Sequence, residues 1–543
     1  MSDGEQEISR RDFLTGGLAV GTMGRRQETK KTVVPALEIA EATVTQLQDA
    51  MKTGKYTSER LVELYLERIE ALDQHGAAIN SILETNPDAM QIARKRDAER
   101  AAGKLRGPLH GIPILLKDNI ATADRMKTTA GSLALVEAKV PHSALLASRL
   151  VNAGAILLGK TNMSEWANFR STHSVSGWSG RGGQARNPYA LDRSPSGSSS
   201  GSGGAIAANF ATASIGTETD GSILSPSSAS SLVGIKPTVG LISRSGIVPI
   251  SHTQDTAGPM ARTVRDAAIL LSVLACAERA DPATQVKERK AHPDYTIFLD
   301  PNGLKGKRIG IARKQFFGYS RPTDKIAEEA IAVLKHAGAI IVDPADIPTA
   351  GKYDAEETEV LLYEFKDNLN KYLSWLGPNA PVHNMKEVIA FNDREKAHEM
   401  PFFGQELMHK AQEKGPLTTP AYLKALEKCR SLSQTHGIDA VMQKHRLDAL
   451  FAPTQGPVWL IDLANGDAGS GGSSTSPAAV AGYPSITVPA GFYYGLPIGV
   501  SFFGRAWSEP TLLKIAYAFE KATKARRPPH FALTAPFPMN GKV

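Results

Sequence analysis

Cysteines, aromatic residues and long apolar runs are all scarce in this chain of 543 residues. Its two cysteines, Cys276 and Cys429, sit in helix-like segments with no second pair and no histidine spacing around them. That leaves no zinc pattern and reads both as packing residues. No stretch reaches the roughly 18 apolar residues that span a bilayer, so stable membrane insertion is not expected. Charge of one sign is lacking too, because 62 basic residues are interspersed with 55 acidic ones. The net charge of +7 and pI near 9.1 therefore describe a solvated, mildly basic surface, not a nucleic-acid-binding face. With 42% hydrophobic and 22% charged residues and no long polar tract, the chain has the composition of an ordinary globular protein.

The N-terminus carries a separate signal. Ser9-Arg10-Arg11-Asp12-Phe13-Leu14, followed by the short and weakly apolar Thr15 to Met23, resembles a twin-arginine export signal. Residues 1–34 are read as a tail bearing it, which places the protein in the periplasm or outside the cell. No small-x-small cleavage site follows the signal. If the segment is only a basic tail, the protein stays in the cytoplasm.

From Ser58, the residues Leu61, Leu64, Tyr65, Ile69 and Leu72 recur at helical spacing, and Asn86-Pro87 has the form of a further helix start. Residues 35–105 thus form an N-terminal helical layer. Gly111 to Lys117 is a short apolar run that reads as a buried strand ending in a lysine, and Ala155 to Leu158 reads as another. Residues 170–260 are dense in Gly, Ser, Thr and Pro and read as loops, apart from a helix at Ala205 to Ala213. Arg308 to Ala312, Ile326 to His336 and Ala339 to Val342 alternate strand, helix and strand, the sign of a crossover unit. Leu447 to Pro453 and Ser485 to Pro489 read as strands. Residues 353–445 form a charged helical block over the sheet or a substrate entrance, with Thr419-Pro420 as one helix start. The expected architecture is a single α/β domain over 35–530, with a central twisted, mixed and largely parallel sheet covered by helices on both faces, followed by a C-terminal tail at 531–543.

The densest local signal is Pro195-Ser196-Gly197-Ser198-Ser199-Ser200-Gly201-Ser202-Gly203-Gly204, followed by Gly216-Thr217-Glu218-Thr219-Asp220-Gly221-Ser222-Ile223. A flexible linker would not run straight into the apolar Ala205 to Phe210. Gly197 to Gly201 also matches the G-x-S-x-G elbow, with Ser199 as nucleophile, but the elbow requires an apolar strand before it and Asn187 to Ser196 is not one.

The whole stretch resembles the amidase signature family, in which a Gly/Ser-rich loop precedes a nucleophile loop by a fixed interval; here Ser198 and Ser222 are 24 residues apart. Leu109 to Asp118 looks like that family's lysine strand. Thr128-Thr129-Ala130-Gly131-Ser132, Gly159-Lys160-Thr161-Asn162, Asp255-Thr256-Ala257-Gly258-Pro259-Met260 and Ala481-Gly482-Tyr483-Pro484 follow in the family's order, so the likeness covers residues 36–525.

A serine hydroxyl is a poor nucleophile at neutral pH and needs an adjacent base. The resemblance implies that Ser222 attacks, that Ser198 relays the proton through a cis peptide bond, and that Lys117 accepts it as a neutral amine. A lysine does this only with its pKa lowered by burial, which Ile112 to Leu116 would supply. Alternation along the strand turns Asp118 to the opposite face. The resemblance also assigns the oxyanion to the backbone N–H groups of Thr219, Asp220, Gly221 and Ser222. Asp220, Glu218 and Leu224 depart from the commoner family pattern of glycine, aspartate and arginine, which questions the electrostatics around the nucleophile. His110, His173 and His252 lie near the motifs without an elbow context and are read as structural. Glu165 and Trp166 either line the pocket or pack.

The details of 216–222 and 243–251 most resemble bacterial peptide amidases, which remove the C-terminal amide of peptides, and this implies a C-terminally amidated peptide as substrate with release of ammonia. Small aryl or aliphatic amides are the alternative substrates, and a glutamine-hydrolysing subunit of a transamidation complex is the alternative function. No metal and no organic cofactor is implied, since serines, lysine and backbone donors suffice for acyl transfer to water.

Overall fold

The apolar runs become strands of one large sheet. In the computed structural model, which describes residues 38–538 within one compact unit, Val34–Val543, the strands are as follows. They are β1 (Ile82–Thr85), β2 (Pro113–Lys117), β3 (Ile156–Thr161), β4 (Trp178–Ser179), β5 (Gly183–Gln184), β6 (Ala213–Glu218), β7 (Val233–Lys236), β8 (Thr256–Ala261), β9 (Arg308–Ile311), β10 (Ile340–Val342), β11 (Ala449–Pro453), β12 (Ser485–Tyr493) and β13 (Leu496–Phe503). Eleven of them form a mixed sheet in the order β1-β3-β2-β6-β8-β7-β12-β13-β11-β9-β10, and β4 pairs with β5 alone.

Parallel pairing joins β3 to β2 and β2 to β6 on one flank, and β11 to β9 and β9 to β10 on the other. These flanks contain crossover helices such as Leu145–Asn152 and Arg321–His336. From β6 through β8, β7, β12 and β13 to β11 the pairing is antiparallel. There β12 and β13 meet at Tyr494-Gly495, both at positive φ, the backbone a two-residue hairpin turn requires.

The antiparallel middle corrects the reading of residues 170–260 as loops, since β6, β7 and β8 all lie there. The helix expected at 205–213 runs instead over Ser200–Ala207, and the chain is already in β6 at Ala213. Close packing explains the small residues of β6 and β8, whereas β7 has Val233 and Ile235 but is only four residues long. A Cβ at Gly258 would lie 2.0 Å from the Ile235 carbonyl, and one at Gly234 would lie 2.3 Å from Ser227 Oγ. Strands covered this tightly on both faces use glycine, alanine and serine where looser sheets use valine and leucine.

The helical layer is present as Val44–Lys52, Ser58–Ile69 and Ala89–Ala101. Thr43 caps the first through a reciprocal bond with Gln46, and Asn86 Oδ1 accepts from the Asp88 N–H before the third. The block at 353–445 is helical as expected. Its 22-residue helix Asp354–Trp375 buries Phe365, Leu369 and Leu373 in a core of its own with Met385, Val388 and Met408. Packed chain continues past residue 530, where Phe531 is buried and its N–H donates to the Pro188 carbonyl at 3.1 Å. Cys276 and Cys429 are free and buried. Among the described residues no helix is long and apolar enough to cross a membrane. The twin-arginine segment lies outside the described residues.

Two glycines of the helix Ser200–Ala207 test the packing argument. A Cβ at Gly201 would lie 2.2 Å from the Ser81 carbonyl oxygen and 2.5 Å from that of Asn162, whereas one at Gly204 would meet nothing nearer than 3.6 Å. Gly201→Ala is expected to destabilise the fold by about 1–3 kcal/mol through overpacking, while Gly204→Ala stabilises it by up to about 1 kcal/mol through helix propensity. Urea midpoints that moved together for the two variants would contradict this.

Candidate active site

Strand β2 ends in Lys117, and the neighbouring parallel strand β6 passes beside it at Thr217. The Lys117 side chain is completely buried. Its Nζ lies 2.8 Å from Ser198 Oγ, 2.9 Å from Thr217 Oγ1 and 3.3 Å from the Thr217 carbonyl. No carboxylate among the described residues touches it. Burial in this apolar setting pulls its pKa down to about 7, against the more distant pull of Asp255 and Glu218. Asp118 faces the other way as alternation requires, accepting from Thr129 Oγ1, from the Gly131 N–H at 3.2 Å and from Arg181 Nη1 at 3.1 Å.

The Gly/Ser loop brings Ser198 to the lysine, and the Gly197–Ser198 peptide is cis. Ser199 is fully buried and its hydroxyl is committed, donating to the Thr217 carbonyl at 3.1 Å and accepting from the Thr217 N–H at 3.2 Å. That double engagement removes the elbow reading of Ser199. Ser222 differs from both, since 8% of it is exposed and its hydroxyl has no partner among the described residues. The Ser199 N–H donates to the Ser222 carbonyl at 3.2 Å, which ties the two loops together.

The turn at 219–222 is held from outside. Thr219 Oγ1 donates to Asp255 Oδ1 at 2.6 Å, Ser476 Oγ donates to Asp220 Oδ2 at 2.5 Å, and the Ser225 N–H donates to the Gly221 carbonyl at 2.7 Å. The backbone N–H groups of Thr219, Asp220, Gly221 and Ser222 find no acceptor among the described residues. Gly221 sits at φ +78°, a backbone that disfavours a side chain. Glu218 closes the turn from within: its Oε2 accepts from the Ile223 and Leu224 N–H groups at 2.7 and 2.9 Å. Burial raises the Glu218 pKa, partly offset by those N–H groups and by the Lys236 charge.

Beside the turn opens a cavity of about 770 Å³, with Asn119, Thr217 and Thr219 in its wall and Val248, Ile250 and Leu417 among its apolar lining. His252 lies on this wall, 3.4 Å from Glu364 and 3.5 Å from the Tyr422 hydroxyl. His110 is buried, with Nε2 2.9 Å from the Arg96 carbonyl, and His173 is exposed. None of the three touches Ser198, Ser199 or Ser222 among the described residues. Glu165 and Trp166 pack: the glutamate pairs with Arg170 beside Glu399, and the indole is buried in the core under the helical block. No group of three or more His, Cys, Asp or Glu is placed to hold a metal ion among the described residues.

The Amidase family profile matches residues 60–513. This chain belongs to the amidase family. A probable amidase of Arabidopsis thaliana is 42% identical over 91% of this chain and 92% of its own. A glutamyl-tRNA(Gln) amidotransferase component from Moorella thermoacetica is 34% identical over 90% of this chain and 98% of its own. Among solved structures, the native peptide amidase of Stenotrophomonas maltophilia superposes with a TM-score of 0.88 at 50% identity, covering 91% of this chain and all of that one. A peptide amidase solved with the competitive inhibitor chymostatin gives 0.88 at 51% identity, over 91% of this chain and 99% of that one.

The amidase site also contains residues that the sequence alone does not single out. Thr217 falls in a stretch that reads as loop, and its contact with Lys117 follows from strand β6, which has no apolar signature. Glu218 stands out in the sequence only as a departure from pattern, without its capping role. Its charge raises the Lys117 pKa, so Glu218→Gln is expected to move the Lys117 titration below about 7. NMR of ¹³C-labelled lysine, assigned against Lys117→Met, measures it, and an upward shift would contradict the arrangement.

Proposed function

We propose that this amidase hydrolyses the C-terminal carboxamide of peptides, with Ser222 as nucleophile, Ser198 as proton relay and Lys117 as base. One observation carries the reading: a buried lysine amine with no anionic partner among the described residues lies 2.8 Å from Ser198, next to a loop whose partly exposed Ser222 hydroxyl has no partner among them either.

The hydrogen-bond geometry accommodates a neutral amine. The Thr217 carbonyl can only accept, so the amine donates one N–H there and the other to Thr217 Oγ1. Its lone pair is left for the Ser198 hydroxyl to donate into. As Ser222 attacks the carbonyl carbon, its proton passes to Ser198 while the Ser198 proton passes to Lys117. The oxyanion is met by the free N–H groups of 219–222. Collapse of the tetrahedral intermediate breaks the C–N bond, the proton returns along the same path to the leaving nitrogen, and ammonia departs. Water then takes the place of ammonia and releases the acid from the acyl-enzyme.

The peptide substrate is supported by the likeness to the Stenotrophomonas enzyme over its full length and by a cavity large enough, and apolar enough, for peptide side chains. The arginine pair at Arg10-Arg11 supports an exported enzyme working on extracellular peptides.

Ammonia release from C-terminally amidated peptides by the purified protein alone is the expected result, without ATP or partner proteins. Dependence on these would move the assignment to a glutaminase component of a transamidation complex, and release from small aryl amides alone would change the substrate class. Ser222→Ala is expected to lower kcat by about 10⁴-fold or more. Full activity in that variant would remove Ser222 from the mechanism.

The pH profile follows from the base. Lys117 works only when unprotonated, so kcat/KM should rise with pH through about 7 and level off above it. Below that limb the rate falls about tenfold per pH unit. A profile flat from pH 5 to 8 would exclude Lys117 as the base.

A further inference from the structure

Asn119, two residues beyond Lys117, lines the cavity beside the turn at 219–222 and is only 3% exposed. Its Nδ2 donates to Thr217 Oγ1 at 3.0 Å and lies 3.5 Å from the Val248 carbonyl oxygen. A carbonyl only accepts, so the nitrogen belongs on that side and Oδ1 points away from it. The backbone fixes the residue further, with the Val248 N–H donating to the Asn119 carbonyl at 2.9 Å. Asn119 Oδ1 itself has no donor among the described residues. A buried acceptor without a donor is costly, and such groups are expected where a ligand supplies what is missing.

We propose that Asn119 Oδ1 accepts a hydrogen bond from the N–H of the substrate carboxamide, the group that leaves as ammonia, and so selects amides over esters at the same carbonyl. The inference rests on the amide-hydrolase reading above and adds to it a contact to the leaving group. Position favours the leaving nitrogen over a peptide N–H farther along the substrate. Thr217 Oγ1 is shared between Asn119 Nδ2 and Lys117 Nζ, which places Asn119 on the lysine side of the site. The proton that makes ammonia a leaving group arrives from that side, whereas the oxyanion faces the free N–H groups of 219–222. An acceptor there holds one N–H of the carboxamide and turns the nitrogen lone pair toward the relay. An ester oxygen has no N–H to offer, so the acceptor stays unpaired and the ester is disfavoured.

The test uses the full chain with matched amides and methyl esters of a peptide and of benzoic acid. It measures kcat/KM, and also dissociation constants on the Ser222→Ala background, where no turnover intervenes. Asn119→Leu removes the acceptor at similar volume and is expected to lower kcat/KM for the amides about tenfold or more while leaving the esters within about threefold. On the Ser222→Ala background it should weaken amide binding about tenfold and ester binding little. Asn119→Asp keeps an acceptor, so it should retain the amide-over-ester ratio while moving the acid limb of the pH profile upward. If Asn119→Leu depresses amides and esters equally, Asn119 is a brace for Thr217 and the inference fails; it fails equally if neither changes. Absence of ammonia release from every amide would overturn the function proposed above, whereas divergence of amide and ester affinities on the Ser222→Ala background would still decide the Asn119 contact.

Discussion

The site depends on a lysine amine buried without a counter-ion among the described residues. A charge taken out of water is stabilised by an anion in contact with it or else gives up its proton, and around Lys117 the nearest groups are hydroxyls and one carbonyl. The carboxylates that could have paired with it are engaged elsewhere. Asp118 is turned by strand alternation into a cluster with Arg181 and Thr129, Asp255 accepts two backbone N–H groups and the Thr219 hydroxyl, and Glu218 caps the turn after Ser222. The last two act on Lys117 only through space, which keeps its pKa near neutrality. Moving one of these carboxylates into contact would stabilise the ammonium and raise the Lys117 pKa.

That constraint reaches into the architecture. A lysine at the end of a sheet strand is dry only if the layers on both sides close over it. Here the Gly/Ser-rich helix Ser200–Ala207 lies so near its neighbours that a Cβ at Gly201 would overlap two carbonyl oxygens. The same smallness allows the loop before it to deliver Ser198 to the amine and β6 to run beside β2 with Thr217 in reach. The serine-rich composition is therefore a packing requirement as well as the source of the hydroxyl that meets Lys117.

What could be read from the sequence follows the same division. Strands β2, β3, β9, β10 and β11 and the crossover helix Arg321–His336 were legible because branched and long apolar residues mark them. Lys117, Ser198 and Ser222 stood out through their spacing and neighbours, and the family match bears out the kinship they suggested. Strands β6 and β8 were missed because strands built mostly of small residues, Ala213-Ser214-Ile215-Gly216-Thr217-Glu218 and Thr256-Ala257-Gly258-Pro259-Met260-Ala261, carry little periodic signal, and β7 because Val233-Gly234-Ile235-Lys236 is only four residues long. Missing β6 meant missing Thr217, and with it the shared hydroxyl that joins Lys117 to Asn119. Ser199 shows the converse: its elbow-like surroundings are visible in the sequence, whereas the two backbone bonds that occupy its hydroxyl exist only in the fold.

The departures in the turn around Ser222 are resolved by backbone geometry. Among the residues of that turn, positive φ is confined to Gly221, so the aspartate at 220 occupies a position that does not demand glycine. Its side chain is then available to bond Ser476 and brace the turn from the far side. Glu218 and Leu224 belong together. An arginine at 224 would offer a guanidinium to an acid at 218, but Leu224 is fully buried and offers only its N–H. The glutamate satisfies that N–H and the one before it, so two donors immediately after Ser222 are consumed while those of 219–222 stay free. The end of the turn is thus held by a carboxylate on two backbone amides, without a fixed positive charge at position 224.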